Sequence, residues 1–250
     1  MTAKKLTRLA EEGAASAEAR TRVDLAACYR LTAHFGYDDV IWNHISARIP
    51  GEDAFLINPL GYRYDEIRAS NLVKVDLEGR VLEGGETNPT GFVIHSAIHR
   101  RRPDVRCVMH THTPGGLAVS ALAEGLLPMV QDSFLFHDRV RYHAYEGFST
   151  DLDERERLAG SLGNASALIL RNHGLLTVGR TIGEAFMTMH YLERACRVQI
   201  AVLSTGREIS LPPPEVREKA ARQYEDFQPG KYEWLALVRL MDKVDPSFRD

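Results

Sequence analysis

The sequence predicts a single α/β domain built around a mixed β-sheet, on three observations. The 250-residue chain is long enough to bury one full hydrophobic core. Apolar runs of strand length and amphipathic stretches of helix length alternate irregularly, without the repeating strand–helix series that a parallel sheet requires. No internal repeat or low-complexity linker divides the chain. We therefore expect one domain over residues 21–250, including C-terminal helices, after a flexible polar segment over residues 1–20.

The elements of the first half follow from hydrophobic spacing and from the residues that begin or end helices. Gly36 is expected to end the first helix, since glycine favours the position just after a helix. Asn88 and Pro89 are expected to begin the second, as a capping residue and a first-turn proline. The predicted helices span residues 21–35, 88–101 and 114–123, and the predicted strands span residues 45–49, 54–57, 72–75 and 106–111.

The second half contains two apolar strands joined by a short turn, followed by one long amphipathic helix. Thr181 is expected to cap that helix, and Gly206 with the prolines at 212–214 is expected to end it. The predicted strands span residues 129–136, 141–145, 167–171 and 175–178, and the predicted helices span residues 151–162, 182–203, 215–224 and 232–243.

Bulk composition excludes several classes of protein. A net charge of -3 leaves no concentrated basic face for nucleic acid. The three cysteines are far apart and form no CxxC pair, which indicates reduced, buried thiols. The first residues lack an apolar signal core, and there is no run of about 18 apolar residues to span a membrane. We therefore expect a cytoplasmic protein that binds neither nucleic acid nor membranes.

Two histidines on one strand and a third in a later turn indicate a metal site. Side chains two residues apart on a strand share a face, so His110 and His112 present two imidazoles side by side. His173 ends a second apolar strand, beside Gly174, which permits close backbone approach. Three imidazoles without a thiolate suit a catalytic divalent ion with an open position for water or substrate. The chain is therefore predicted to be a metal-dependent enzyme.

A competing histidine pair lies on the predicted helix over residues 88–101. His95 and His99 are four residues apart and share one helix face, a spacing that can bind zinc. The segment between them lacks the glutamate of a His-Glu-x-x-His metalloprotease motif. We interpret the pair as helix residues that pack near the metal site, and a contact from His95 to substrate or metal stays open.

Three short loops, at residues 42–46, 58–61 and 88–91, carry groups that suit an anion or an oxyanion. They offer amide or hydroxyl side chains or tight turns, and the third opens a helix whose free amides favour negative charge. Together with a metal site, these loops indicate a small phosphorylated or carboxylated substrate. The predicted substrate-binding residues are Asn43, His44, Ser46, Pro59, Gly61, Pro89, Thr90 and Gly91.

The order of these motifs resembles the class II aldolase/adducin family over roughly residues 20–205. The segments that carry the resemblance are Asn43 with Ser46, Pro59 with Gly61, Pro89 to Gly91 with His95, Arg102 to Val105, His110 to His112, Asn172 to Gly174, and Glu184 with Ala185. The resemblance implies a three-layer α/β/α fold with a mixed, largely antiparallel central sheet. It also implies a homo-oligomer, often a tetramer, with active sites between subunits and a small-molecule substrate.

In this resemblance, His110, His112 and His173 occupy the three metal-ligand positions, which implies one divalent ion per subunit. Zinc is the first expectation, with manganese or iron as alternatives. Gly91 stands where the aldolases carry a glutamate that moves a proton, so ordinary sugar-phosphate aldolase activity is not expected. The segments around His44 and Gly91 are most similar to the adducin-like bacterial branch, which is similar to metal-dependent decarboxylases.

Three functions follow as hypotheses. The first is a divalent-metal-dependent lyase that decarboxylates, or otherwise cleaves a C–C bond of, a small oxygenated acid or sugar-derived substrate through a metal-stabilised enolate. Its proton would come from His44, Glu146 or Asp132, and Asp132 aligns with the aldolases' tyrosine proton donor. The second is an Fe(II)-dependent oxygenase on the same three histidines. The third is a non-catalytic assembly module like the adducin head domain.

Overall fold

A mixed eight-stranded sheet forms the centre of the computed structural model, which describes residues 3–147 and 152–250. Its strands are β1 (His44–Arg48), β2 (Ala54–Ile57), β3 (Val73–Asp76), β4 (Val81–Glu83), β5 (Cys107–Thr111), β6 (Val140–His143), β7 (Ala167–Leu170) and β8 (Gly174–Gly179). The α-helices are α1 (Ala3–His34), α2 (Pro89–Arg101), α3 (Pro114–Ser120), α4 (Gln131–Phe134), α5 (Leu152–Leu162), α6 (Ile182–Leu203), α7 (Pro214–Glu225) and α8 (Glu233–Val244). Short 3-10 helices lie at Tyr64–Glu66, Ala69–Asn71 and Pro246–Arg249.

The sheet is largely antiparallel, with the strand order β4-β3-β2-β1-β5-β8-β7-β6. The pair β6–β7 is parallel, and the six other neighbouring pairs among the described strands are antiparallel. The parallel pair is joined through α5, as a parallel connection requires a crossover. This arrangement confirms the mixed, largely antiparallel sheet that the sequence predicted.

Helices cover both faces of the sheet, so the fold has three layers. On one face, α1, α3, α6 and α8 contribute to the larger core, which contains Met109 of β5 and Phe186 of α6. On the other face, α2 and α5 contribute to a second core, which contains Val108 of β5 with Ile98 and Leu158. Successive strand residues point to opposite faces, so Val108 and Met109 anchor β5 in both cores. The three-layer α/β/α prediction is therefore confirmed.

The C-terminal residues close the larger core against α1. Met241 of α8 and Phe248 of the last 3-10 helix are buried in that core. Arg30 of α1 donates a hydrogen bond to Asp245 at 3.0 Å, which ties the two ends of the described chain together. None of the described helices is both long and apolar enough to cross a membrane.

The first helix is longer than predicted, so the boundary at residue 20 has no counterpart in the secondary structure. The helix runs without a break from Ala3 to His34, whereas the prediction begins it at residue 21. Alanine, arginine and glutamate favour helix, and Arg22 supports the region with an ion pair to Glu18 at 2.8 Å. The flexibility predicted for residues 1–20 stays a prediction.

The strand predicted over residues 129–136 is wrong, because this segment contains the short helix α4. The Ser133 hydroxyl accepts hydrogen bonds from the amides of Met129 and Val130, at 2.9 and 3.0 Å. It also donates to the carbonyl of Val130, and such local bonds offer the backbone an alternative to a strand ladder. The sequence also missed β4, whose three residues are all exposed and so lack an alternating pattern.

Three adjacent central strands bring distant parts of the sequence together at one end of the sheet. In the antiparallel register, His44 of β1 lies opposite His110 of β5. Thr111 at the end of β5 lies opposite Leu175 near the start of β8. The start of β1, the end of β5 and the start of β8 therefore meet, and the site is built there.

Candidate metal centre

Three imidazoles meet at this end of β5 and β8. His110 lies on β5, His112 follows the strand directly, and His173 lies in the turn before β8. The Nε2 atoms of His110 and His112 are 3.0 Å apart. The ring of His173 is centred 4.8 Å from His110 and 5.0 Å from His112, and one nitrogen of each ring lies within 4.8 Å of the others. The structure thus brings together the three histidines that the sequence singled out.

The turn before β8 holds His173 in place through two unusual backbone conformations. Asn172 has a φ of 55°, a left-handed conformation that asparagine tolerates better than most residues. Gly174 has a φ of 155°, and a Cβ there would lie 2.5 Å from the carbonyl oxygen of Thr111. Only glycine therefore lets the start of β8 pass so close to the end of β5, which brings His173 to the other two imidazoles.

Hydrogen bonds from the Nδ1 atoms fix the orientation of the His110 and His112 rings. The Nδ1 of His110 lies 2.9 Å from the carbonyl oxygen of Leu175, and the Nδ1 of His112 lies 2.9 Å from Asp39 Oδ2. Both acceptors require a protonated Nδ1, which leaves each Nε2 with a lone pair. Two lone pairs facing each other at 3.0 Å repel unless a cation lies between them. This geometry fits a divalent metal ion.

Burial keeps the imidazoles of His110 and His173 in the neutral form that binds metal. The pKa of His110 is well below its usual value, first because burial disfavours the charged ring and then because His173, His112 and His44 are close. Burial, with His112 and His143 nearby, lowers the pKa of His173 to about 4. These two rings therefore need no deprotonation near pH 7 before they bind an ion.

The His44 ring fills the space beside Gly91. It stacks on His110, with ring centroids 5.8 Å apart and planes inclined by 24°. A Cβ at Gly91 would lie 2.5 Å from His44 Cδ2, so any larger residue there would displace the ring. Burial, followed by the nearness of His112 and His173, lowers the pKa of His44 to about 3. Neither ring nitrogen has a hydrogen-bond partner in the described part of the chain.

The two other predicted residues of the first loop differ in their role. Asn43 Oδ1 accepts a hydrogen bond from the amide of His112 at 3.3 Å, and its Nδ2 is buried without a described partner. The hydroxyl of Ser46 is instead engaged by His95 Nδ1 at 2.6 Å and His99 Nε2 at 2.8 Å. Ser46 therefore links the sheet to α2, and its contact with substrate stays a prediction.

The backbone of the second loop contacts the segment that leads into the third loop. The amide of Leu60, between Pro59 and Gly61, donates to the carbonyl of Glu86 at 2.8 Å. Pro89 begins α2 and is exposed. Thr90 also lies in that first turn, and its side chain is outside the described residues. Among the described contacts, none joins these loop residues to the three histidines, so their role in binding stays a prediction.

The two predicted acidic proton carriers are both held by arginines. Asp132 on α4 forms an ion pair with Arg194 on α6, at 3.1 Å. Glu146 forms an ion pair with Arg157 at 2.5 Å and lies 3.8 Å from His143 Nε2. The hydrogen bond from Arg157 lowers the pKa of Glu146, which opposes proton donation by that carboxyl. Of the three predicted proton carriers, the structure brings His44 alone into ring contact with the histidine cluster.

Comparison with known proteins assigns the family. The profile described as "Class II Aldolase and Adducin N-terminal domain" matches residues 23–200. The chain belongs to the class II aldolase and adducin family. An aldolase II superfamily protein of Pseudomonas syringae is 48% identical in sequence, with a TM-score of 0.87 over 94% of this chain and 96% of that one.

Two further relatives carry more specific names. The L-fuculose 1-phosphate aldolase of Glaciozyma antarctica PI12 is 30% identical, with a TM-score of 0.83 over 93% of both chains. Alpha-adducin of Mus musculus is 39% identical over 89% of this chain and 33% of its own length. The chain therefore spans about a third of that adducin. The family thus includes an aldolase by name and adducins by name.

Asp39 contributes to the site, although the sequence analysis did not identify it. We expect the substitution Asp39→Asn to weaken metal binding. Asp39→Asn removes the charge that orients His112, and losing such an outer partner typically costs about 10–100-fold in metal affinity. Competition with a chromogenic chelator would measure the dissociation constant. The neighbouring Asp38→Asn serves as the control and should leave it unchanged. Equal affinities in both variants would show that Asp39 does not orient the site.

We expect the free energy of unfolding, measured with chelator present, to fall as the pH drops from 7 to 5. Burial lowers the pKa of His99 from 6.5 to about 3, so the unfolded chain takes up a proton that the folded chain refuses. Stability is therefore complete above pH 6.5 and declines on acidification, by up to about 1.4 kcal/mol per pH unit for each such histidine. Urea unfolding across this range should show a shallower dependence of the free energy of unfolding on pH for His99→Gln than for the wild type. An unchanged slope in His99→Gln would contradict the assignment.

Proposed function

We propose that the chain is a divalent-metal-dependent lyase that acts on a small oxygenated acid or sugar-derived substrate. The observation that carries this proposal is the pair of Nε2 lone pairs of His110 and His112, which face each other at 3.0 Å beside His173. Neutral imidazole ligands with no thiolate suit a catalytic ion that keeps a position open. We propose one ion per chain, zinc first, with manganese or iron as alternatives.

The bound ion would supply Lewis acidity, polarising a substrate oxygen. The chain itself supplies the shape and polarity of the site around it. His44 offers one N–H donor and one lone pair on nitrogens without described partners, and Asn43 Nδ2 is a second buried donor. Buried polar groups are nearly always hydrogen-bonded. A substrate bearing carboxylate, hydroxyl or carbonyl oxygens would satisfy both residues.

The absence of a carboxylate at Gly91 favours decarboxylation over aldol cleavage. Retro-aldol cleavage begins when a base removes a hydroxyl proton, and such proton transfer is worth about 10²- to 10⁴-fold. Decarboxylation begins instead with loss of carbon dioxide, which needs no base. The Gly91 backbone leaves room for His44, not for a proton-carrying side chain of its own. Asp132 and Glu146 are bound to arginines, whereas His44 is in ring contact with His110 and its neutral ring carries one N–H.

We also propose that the chain forms a homo-oligomer, a tetramer in the first instance, with its sites between subunits. Large apolar side chains near the histidines support this. Trp42, two residues before His44, is 55% exposed, and Tyr145, whose ring lies 6.3 Å from His173, is 52% exposed. Exposed apolar groups beside a site are typical of surfaces that another protein covers.

Metal analysis combined with a substrate panel tests the proposed function. We expect purified protein to hold about one divalent ion per chain, and to release carbon dioxide or an aldehyde from one member of a panel of 2-oxo acids, 3-keto acids and sugar phosphates. Chelation should abolish turnover, and the metal should restore it. A chain that neither contains nor rebinds a divalent ion would contradict the proposal and favour an adducin-like assembly role. Oxygen uptake dependent on Fe(II) would instead favour the oxygenase.

A further inference from the structure

We propose a second ligand site at the opposite end of the sheet from the histidines, for a phosphorylated small molecule with a planar apolar part. Its outline is a cavity of about 770 Å³. Small-molecule sites in proteins commonly enclose about 300–1,000 Å³. The cavity is lined by the start of α6, by part of α1 and by the segment that leads into α8. This site is independent of the proposed lyase function.

The same three strands that carry the histidines carry arginines at their other ends. Arg48 ends β1, Arg106 directly precedes β5, and Arg180 directly follows β8. The amide of Arg48 donates to the carbonyl of Arg106 at 2.7 Å. The amide of Arg106 in turn donates to the carbonyl of Gly179 at 2.9 Å. Strands rise about 3.3 Å per residue, so the backbones of Arg106 and His110 are separated by about 13 Å. Sheet register therefore assembles three cations from distant parts of the sequence, away from the metal centre.

Cationic side chains outnumber carboxylates in this cavity. Five cations and two carboxylates line it, in a chain whose net charge is -3. The cations are Arg20, Arg48, Arg106, Arg180 and Lys231, and the carboxylates are Asp24 and Glu184. A concave surface with one predominant sign of charge raises the local concentration of ligands of the opposite sign. The cavity is therefore suited to an anion.

Some of these cations are already paired, and others are available. Arg180 forms an ion pair with Glu184 at 3.3 Å, and Arg48 lies 3.7 Å from Asp53. The guanidinium of Arg106 has no hydrogen bond or ion pair to any described residue, and it is exposed. Lys231 lies over the ring of Tyr232, 5.5 Å from its centroid, and has no carboxylate partner in the described ranges. Arg106 and Lys231 are thus free to bind phosphate oxygens.

The apolar residues of the lining indicate that the ligand also carries a planar apolar group. Trp234 is half-buried, and its Nε1 donates to Asp24 at 3.4 Å, which holds the indole against the cavity. Leu235 is 61% exposed beside it, and Ile182 lies at the start of α6. Indole faces stack on planar rings, and arginine favours phosphate. The chemistry points to a phosphate joined to a flat ring system, not to inorganic phosphate alone.

Calorimetry with ADP as the probe tests this site on the full chain, with chelator present. We expect ADP to bind at least about tenfold more tightly than inorganic phosphate or adenosine, because each of these lacks one of the two features. The charge reversal Arg106→Glu with Lys231→Glu should weaken ADP binding at least about tenfold. The matched control Arg207→Glu with Arg239→Glu reverses two exposed arginines outside the cavity and should have no effect. His112→Ala should bind ADP as the wild type does.

Three results would overturn the proposal. The first is no ADP binding by the wild type at millimolar concentration. The second is ADP binding that His112→Ala removes and the Arg106/Lys231 reversal leaves intact, which would assign the nucleotide to the histidine site. The third is a fall in oligomer mass by light scattering in the Arg106/Lys231 variant without ADP binding to the wild type, which would assign the cavity to another copy of the chain. Circular dichroism of each variant establishes that it is folded.

Discussion

Replacing His110 by alanine should abolish stoichiometric metal binding. Turnover should fall about a thousandfold or more, because a catalytic metal ion contributes several kcal/mol of transition-state stabilisation. The variant loses an Nε2 that faces His112 at 3.0 Å, so two imidazoles remain in place of three. Two neutral nitrogens hold a divalent ion far more weakly than three. Elemental analysis after gel filtration, together with steady-state kinetics, would measure both effects.

His190→Ala is the control for this prediction. His190 is a partly buried imidazole on α6 whose Nδ1 lies 3.0 Å from the hydroxyl of Tyr37, outside the cluster. Its loss removes one histidine and one hydrogen bond without touching the metal ligands. Metal content should therefore be unchanged in His190→Ala and absent in His110→Ala. A His110→Ala protein that keeps its ion and its turnover would contradict the assignment of His110 as a metal ligand.

Replacing Gly91 by alanine should destabilise the protein and displace His44. The new Cβ would lie 2.5 Å from His44 Cδ2, and the ring is already in contact with the rings of His95 and His110. Overpacking of this kind typically costs about 1–3 kcal/mol. We expect the free energy of unfolding of Gly91→Ala to fall below that of the wild type by about this amount.

Two further variants separate this clash from general effects of alanine. Gly160 lies in α5 with nothing within 4 Å of its added Cβ, so Gly160→Ala should gain up to about 1 kcal/mol of helix propensity. In the double variant Gly91→Ala with His44→Ala, the clash is absent, and a positive coupling of about 0.5–3 kcal/mol is expected. Additive effects in the double-mutant cycle would mean that the two residues do not compete for space.

Local periodicity predicted the part of the site that lies at the end of one strand, on His110 and on His112 directly after it. Alternation along β5 fixes the common side of His110 and His112, and a capping threonine with helical spacing fixed α6 at Ile182–Leu203. The prediction that His173 lies beside this pair depended on the apolar strand that precedes it and on Gly174 next to it. These features are short-range, so the sequence carries them directly.

The remaining features depend on which distant residues meet, and the sequence pattern does not carry that information. Asp39 lies 73 positions from His112, in a loop without periodicity. The packing of His44 against Gly91 requires the approach of α2 to β1, and the arginine end of the sheet requires the register of three strands. The misassigned α4 has a simpler cause, because Ser133 makes local hydrogen bonds that compete with a strand.

The position of β5 between β1 and β8 has a consequence for how the site opens. Amides in a strand paired on both sides exchange with solvent only when the sheet itself opens, whereas those of exposed loops exchange through small fluctuations. The backbones of His110 and Thr111 belong to the first kind. The loop with Asp39 belongs to the second, and Val40 beside it has a φ of 52°, which is costly for a β-branched residue. Release of an ion would therefore begin by fraying of this loop, with β5 protected throughout.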